Sequence, residues 1–397
     1  MFFSDTMRRN LLILCCCQAL VMSAGPLIIA TSGLVGLALA QQKIWATLPT
    51  ACMFAGMLVI TFPASILMKR IGRRMGFTLG LLVGLAGALL STYAIVERSF
   101  MLFALGTFLI GITNGFGQYY RFAAAEVASA EYRGRAISWV MVGGVVAAFL
   151  GPNIANWSRD VLFGVPFAGS YASLLILYGL SLVLIANLRI PMPDKEERSG
   201  SQRPLWQVAT QPAFLVAAVG ALLAYGVMNL LMTATPLAMV GNGHDFGDTV
   251  FVIQWHVVAM YGPSFFTGHL IQRFGVTRIM SIGAVMLAAC VAINLSGLTV
   301  MHFWAALVLL GLGWNFLFVG GTTLLIETYT PAEKAKAQGL NDLLVFGTVA
   351  MSALASGFLH QLVGWTALNY LVLPAIALAL GATFWLGRRR ANAASMA

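Results

Sequence analysis

The sequence predicts an all-α membrane protein, its twelve transmembrane helices arranged as two six-helix repeats with both termini cytoplasmic. Three observations carry this. Hydrophobic residues fill 59% of the 397 positions and charged ones 9%, at a mean hydropathy of +0.86, a balance no soluble fold of this length shows. The apolar residues gather in twelve runs, each near the ~20 residues a helix needs to cross a bilayer. A short basic pattern also recurs, offset by 203 residues.

The runs fall at 11–38, 44–68, 76–96, 100–127, 137–158, 170–190, 212–239, 249–271, 277–298, 301–326, 338–360 and 366–387. The first is too long for a signal peptide and lacks a small-residue cleavage site, so it reads as a retained helix. With a cytoplasmic N-terminus, 20 of the 23 Arg and Lys fall inside and only Lys43, Arg98 and Arg159 outside. The positive-inside rule then places both ends in the cytoplasm. It also accounts for the net charge of +10 without a nucleic-acid partner; membrane lipid is the expected surrounding.

A polar, turn-rich stretch at 191–211 reads as a cytoplasmic linker between an N-terminal bundle, 1–190, and a C-terminal bundle, 212–397. The two bundles repeat. Arg70-x-Gly72 after helix 2 returns as Arg273-x-Gly275 after helix 8. Helix 4, with Gly111, Asn114 and Glu126, resembles helix 10, with Gly311, Asn315 and Glu327. Parallel repeats around a midplane site describe an alternating-access carrier. The five Cys contain no CxxC and read as packed apolar thiols; a metal hand-off along Cys15–Cys17 is the minor alternative.

The loop after helix 2 resembles the signature of the major facilitator superfamily, Gly-x-x-x-Asp-Arg-x-Gly-Arg-Arg/Lys. Arg70, Gly72, Arg73 and Arg74 match it, while Ser65 and Lys69 replace its Gly and Asp. The resemblance covers the whole chain and implies that fold. Lys69 in place of an acid suggests a rewired charge cluster: Lys69 with Asp342 or Glu126, and Arg73 with Glu126 or Glu131. The alternative is Lys69 reaching lipid phosphates. Arg121 and Glu126, near the inner end of helix 4, read as structural charges at the cytoplasmic gate.

Helices 7 and 8 carry Met228-x-x-x-Met232 and His256-x-x-x-Met260. Residues four apart share one helix face, and thioether and imidazole suit a soft ion such as monovalent copper. At ~1.5 Å per residue, Met232 and His256 lie roughly 10 Å from the outer end. By the same count Met228 and Met260 lie roughly 15 Å in, near the middle of a ~30 Å core. This pairing resembles the CcoA-like copper importers of the superfamily, and Met228, Met232, His256 and Met260 match that family's metal positions.

The resemblance implies copper import across the bacterial inner membrane by a multi-pass protein serving cbb3-type cytochrome oxidase assembly. Copper would be the substrate and no resident cofactor is expected. Copper chaperones or oxidase assembly factors would be partners. The 203-residue offset carries His256 and Met260 onto Met53 and Met57; these, with Met22 in helix 1, are candidate additional ligands or cavity residues.

Two other readings stand beside this one. A small organic solute, riboflavin-like or a drug, would make the Met and His positions packing and would favour Gln118, Tyr119, Tyr120, Asn229, Gln254 and Asn315 as contacts. A copper-handing assembly factor would pass the ion laterally without transporting it. No hydrolase triad, phosphate loop or closed zinc pattern is present, so the chain does not read as an enzyme.

Overall fold

A computed structural model describes residues 5–128, 133–162, 164–190, 203–330 and 333–396. Every regular element among them is helical. The first crossing is α1 (Asp5–Met22) and α2 (Ala24–Leu39); then come α3 (Leu48–Ile71) and α4 (Arg73–Val96). The fourth is α5 (Phe100–Gly117) with α6 (Tyr120–Val127), followed by α7 (Arg133–Trp157) and α8 (Ala168–Ala186). A short α9 (Leu205–Ala209) precedes α10 (Pro212–Gly241), the seventh crossing. The eighth is α11 (Phe246–Tyr261) with α12 (Ser264–Phe274), and α13 (Val276–Ser296) and α14 (Val300–Ile326) follow. The eleventh crossing is α15 (Lys334–Leu371) as far as Gly364, whose φ of 77° breaks the helix, and the twelfth is the remainder of α15 with α16 (Leu373–Met396). The helices account for all twelve predicted runs.

The repeated Arg-x-Gly pattern has a backbone cause. Gly72 (φ 84°) ends α3 and starts α4, and Gly275 (φ 87°) does the same between α12 and α13. Only glycine takes this left-handed region without steric cost, so each tight reversal needs its glycine. Close helix packing repeats as well. A Cβ at Gly111 of α5 would run into the backbone carbonyl of Met53 on α3. A Cβ at Gly311 of α14 would lie 2.6 Å from the carbonyl oxygen of His256 on α11. Met53 and His256 therefore occupy equivalent places in the two repeats.

The chain forms two compact units: Met1–Lys195 with Asp245–Gln254, and Glu196–His244 with Trp255–Ala397. The second begins near the expected linker, most of which lies outside the described residues. The start of α11 counts with the first unit, because Asn153 donates to Gln254 Oε1 (2.5 Å) and Phe246 packs edge-on against Phe167, centroids 5.0 Å apart.

In the second unit, the end of the linker is tied down by Arg203. Its backbone and side-chain N–H groups reach both oxygens of the buried Glu333 at 2.7–2.9 Å, and it also donates to Thr328 O at 3.0 Å. These bonds, foremost those from the Arg203 side chain, hold the Glu333 carboxyl well below the usual carboxylate range. A lowered folded-state pKa contributes stability above the unfolded carboxylate pKa, about 4.3, and loses it as pH falls further. Glu333→Gln is therefore expected to lower the melting temperature in detergent by several degrees. The deficit should stay constant from neutral pH down to about pH 5 and shrink on further acidification.

Candidate functional site

The second unit brings α10, α11, α14 and α15 together around the predicted positions. Met228 and Met232 are buried on α10, and Met260 is buried at the end of α11. His256, also on α11, is fully buried, and its Nδ1 lies 2.7 Å from Leu307 O on α14. A carbonyl can only accept, so Nδ1 carries the hydrogen and Nε2 is left with its lone pair. That nitrogen has no hydrogen-bond partner among the described residues. A backbone carbonyl that sets the tautomer in this way readies the other nitrogen for a metal or for a ligand N–H or O–H.

Helix register gives the depths. Tyr225 and Trp314 meet at 5.0 Å. Met232 is seven residues outward of Tyr225, and Leu307, the partner of His256, is seven residues outward of Trp314; each step is about 10 Å. No hydrogen bond to sulfur joins His256 to the methionines, and no group of three or more His, Cys, Asp or Glu is placed to hold a metal among the described residues.

The eighth crossing breaks at Gly262–Pro263 because proline cannot continue the ladder. Asn315 repairs the break: its Nδ2 donates to Met260 O and Ser264 Oγ, and its Oδ1 accepts from Thr267 Oγ1, each at 2.7 Å. Every polar atom of this buried amide is occupied by protein, so Asn315 is a helix staple and not the solute contact expected from sequence. Asn229 spends its two N–H groups on Val349 O (2.9 Å) and Ser352 Oγ (3.0 Å) of α15, while its Oδ1 has no hydrogen-bond partner among the described residues.

Sequence reasoning missed a cluster of five rings in this unit. Trp314 and Phe318, four apart on α14, stack nearly parallel, 12° between planes and 5.0 Å between centroids. Tyr225 of α10 stands edge-on to both, at 5.0 and 5.2 Å. Phe346 of α15 meets Tyr225 at 6.4 Å, and Tyr261 of α11 meets Trp314 at 6.0 Å. Trp314 is 2% exposed, yet its Nε1 has no hydrogen-bond partner among the described residues. The Trp314–Phe318 spacing is the one local signal that points to it.

In the first unit, Met53 and Met57 are buried on α3, and Met22 is half-buried, its sulfur 3.9 Å from the Gln118 amide. Tyr119 donates to Thr61 O at 2.5 Å. Tyr120 is fully buried against Phe77, so it is core and not a solute contact. Arg73 grips Glu126 with two nitrogens, at 2.6 and 3.1 Å. Arg121 therefore does not share that carboxylate; its guanidinium lies 4.9 Å from the Phe122 ring centroid. Arg70 and Arg74 are exposed, and Asp342 is half-buried, accepting from Asn341. The Lys69 side chain and Glu131 lie outside the described residues. All five cysteines are free.

The model of the Major Facilitator Superfamily matches residues 10–263 and 217–395. Among characterised sequences, the riboflavin transporter RfnT of Brucella anthropi is 43% identical over 375 residues, 94% of each chain. Two uncharacterized MFS-type transporters of Bacillus subtilis, YdeG and YddS, are 31% and 32% identical over 83% of this chain, covering 80% and 79% of their own lengths. The crystal structure of the human organic anion transporter MFSD10 (TETRAN) superposes with a TM-score of 0.67 at 13% identity, over 96% of this chain and all of that one, a likeness of fold alone. Twelve helical crossings, a repeated half and these matches lead to one conclusion: this multi-pass membrane protein belongs to the Major Facilitator Superfamily and is a transporter, not an enzyme.

Proposed function

We propose that this protein imports a neutral, planar heteroaromatic solute of the riboflavin type across the bacterial inner membrane by alternating access. The observation that carries the reading is the 43% identity with a riboflavin transporter over 94% of both chains. A flavin combines a flat fused-ring system with a hydroxylated tail. The ring cluster and the open Nε2 of His256 suit those two parts better than they suit an ion. In this reading Met228, Met232 and Met260 are packing residues, for which methionine is a common choice.

Copper import is the second reading, favoured by the tautomer-fixed, unpartnered Nε2 of His256 on a helix that also holds Met260. Uptake separates the two. In a bacterial strain that can neither make nor import riboflavin, the protein is expected to restore growth on micromolar riboflavin and accumulation of radiolabelled flavin. Met228→Leu with Met232→Leu, a volume-conserving change, should leave that uptake within twofold. Loss of copper accumulation in the same variant, with no flavin uptake by the wild type, would replace the flavin reading with the copper one.

A further inference from the structure

We propose that the five-ring cluster of the second unit is the seat of the solute's planar ring system, with the indole N–H of Trp314 donating to an acceptor on that ring. This rests on the flavin reading above and assigns it to residues. Aromatic pairs that serve only as core are sealed here: Phe77 with Tyr120, and Phe103 with Tyr171, are each at most 1% exposed. The second-unit cluster differs. Tyr225, Tyr261, Phe318 and Phe346 all keep part of their surface open, and only Trp314 is sealed.

The rings come from four helices, α10, α11, α14 and α15. Trp314 and Phe318 are parallel, and Tyr225 meets them edge-on at 90° and 89°. Offset-stacked and edge-to-face contacts are both favourable for aromatic groups, so a flat ligand can join the parallel pair while the tyrosine turns aside. The buried indole N–H supplies the polar half of the argument. A buried donor without an acceptor is costly, and a carbonyl or ring nitrogen of a bound heterocycle would satisfy it. His256, about 10 Å outward by register, would accept from a hydroxyl of the tail. An uncharged aromatic platform with a donor at Trp314 and an acceptor at His256 Nε2 selects a neutral heteroaromatic and offers no cation to a small anion.

The test uses the purified full-length protein in detergent, titrated with riboflavin. Flavin fluorescence is quenched when the ring stacks on indole or phenol, so binding and stacking are read together. The wild type is expected to quench the flavin. Trp314→Leu and Phe318→Leu should each weaken binding about tenfold or more, as loss of an aromatic stacking partner does elsewhere. Trp314→Phe, which keeps a ring but lacks the N–H, should bind at intermediate strength with reduced quenching and an unchanged melting temperature. Trp157→Phe, at an exposed position, should behave as wild type.

Wild-type binding with unaltered affinity and quenching in Trp314→Leu, Trp314→Phe and Phe318→Leu would overturn the assignment and leave the flavin reading standing. A wild type that neither binds nor imports riboflavin would overturn both.

Discussion

Gly311→Ala is expected to cut the amount of folded protein in the membrane several-fold, and Gly111→Ala to do the same. At both places the added methyl would strike backbone, which cannot rotate away as a side chain can. At 311 it would meet His256 O at 2.6 Å and Met260 N at 3.0 Å; at 111 it would meet the Met53 carbonyl. Overpacking a tight core costs about 1–3 kcal/mol even where side chains yield, and here a helix must move. The control is Gly144→Ala, where nothing lies within 4 Å of the new methyl. Membrane-fraction yield and melting temperature in detergent measure the effect. Equal yields for all three variants would remove the claim that both halves are held by the same glycine-mediated contact.

The second large effect concerns His256, where stability and activity should move in opposite directions. The imidazole is fully buried and Nε2 has no partner; an unsatisfied buried polar atom costs ~1–3 kcal/mol. His256→Leu removes that cost and should raise the melting temperature, while lowering flavin uptake about tenfold. Sites kept for function commonly carry such a stability cost. Copper gives the alternative outcome: His256→Leu would abolish copper accumulation and leave flavin uptake intact. A His256→Leu protein that is less stable and fully active for both substrates would mean the imidazole is structural.

Much of the fold is legible in the sequence. Twelve apolar runs become the crossings because a membrane helix must satisfy its own backbone. The Arg-x-Gly pattern is visible because a positive φ at Gly72 and Gly275 restricts the residue at each site. The depth of His256 and Met232 follows from counting residues along helices. Other features are hidden for physical reasons. The rings Tyr225, Tyr261, Trp314, Phe318 and Phe346 come from four separate helices, so beyond the Trp314–Phe318 spacing no local period reveals them. Asn229 and Asn315 look like solute contacts in sequence, since a polar residue in an apolar span suggests function. The Asn315 amide is spent on the broken eighth crossing and the Asn229 N–H groups on α15, so of these two amides only Asn229 Oδ1 lacks a partner among the described residues. The Gly262–Pro263 step is written in the chain, but its repair by a residue 52 positions after Pro263 is not. The substrate is the least legible part. Three thioethers and an imidazole fit copper chemistry on their own, and the 43% identity with a riboflavin transporter turns the proposal toward an aromatic solute.

The most direct test is transport by the purified protein alone in liposomes, with riboflavin and monovalent copper offered in parallel. Vesicles preloaded with unlabelled riboflavin are expected to exchange it for labelled riboflavin, empty liposomes and Trp314→Leu vesicles to do so at least tenfold more slowly, and copper neither to enter nor to compete. Copper entry that depends on Met232 and His256, without riboflavin exchange, would contradict the flavin reading.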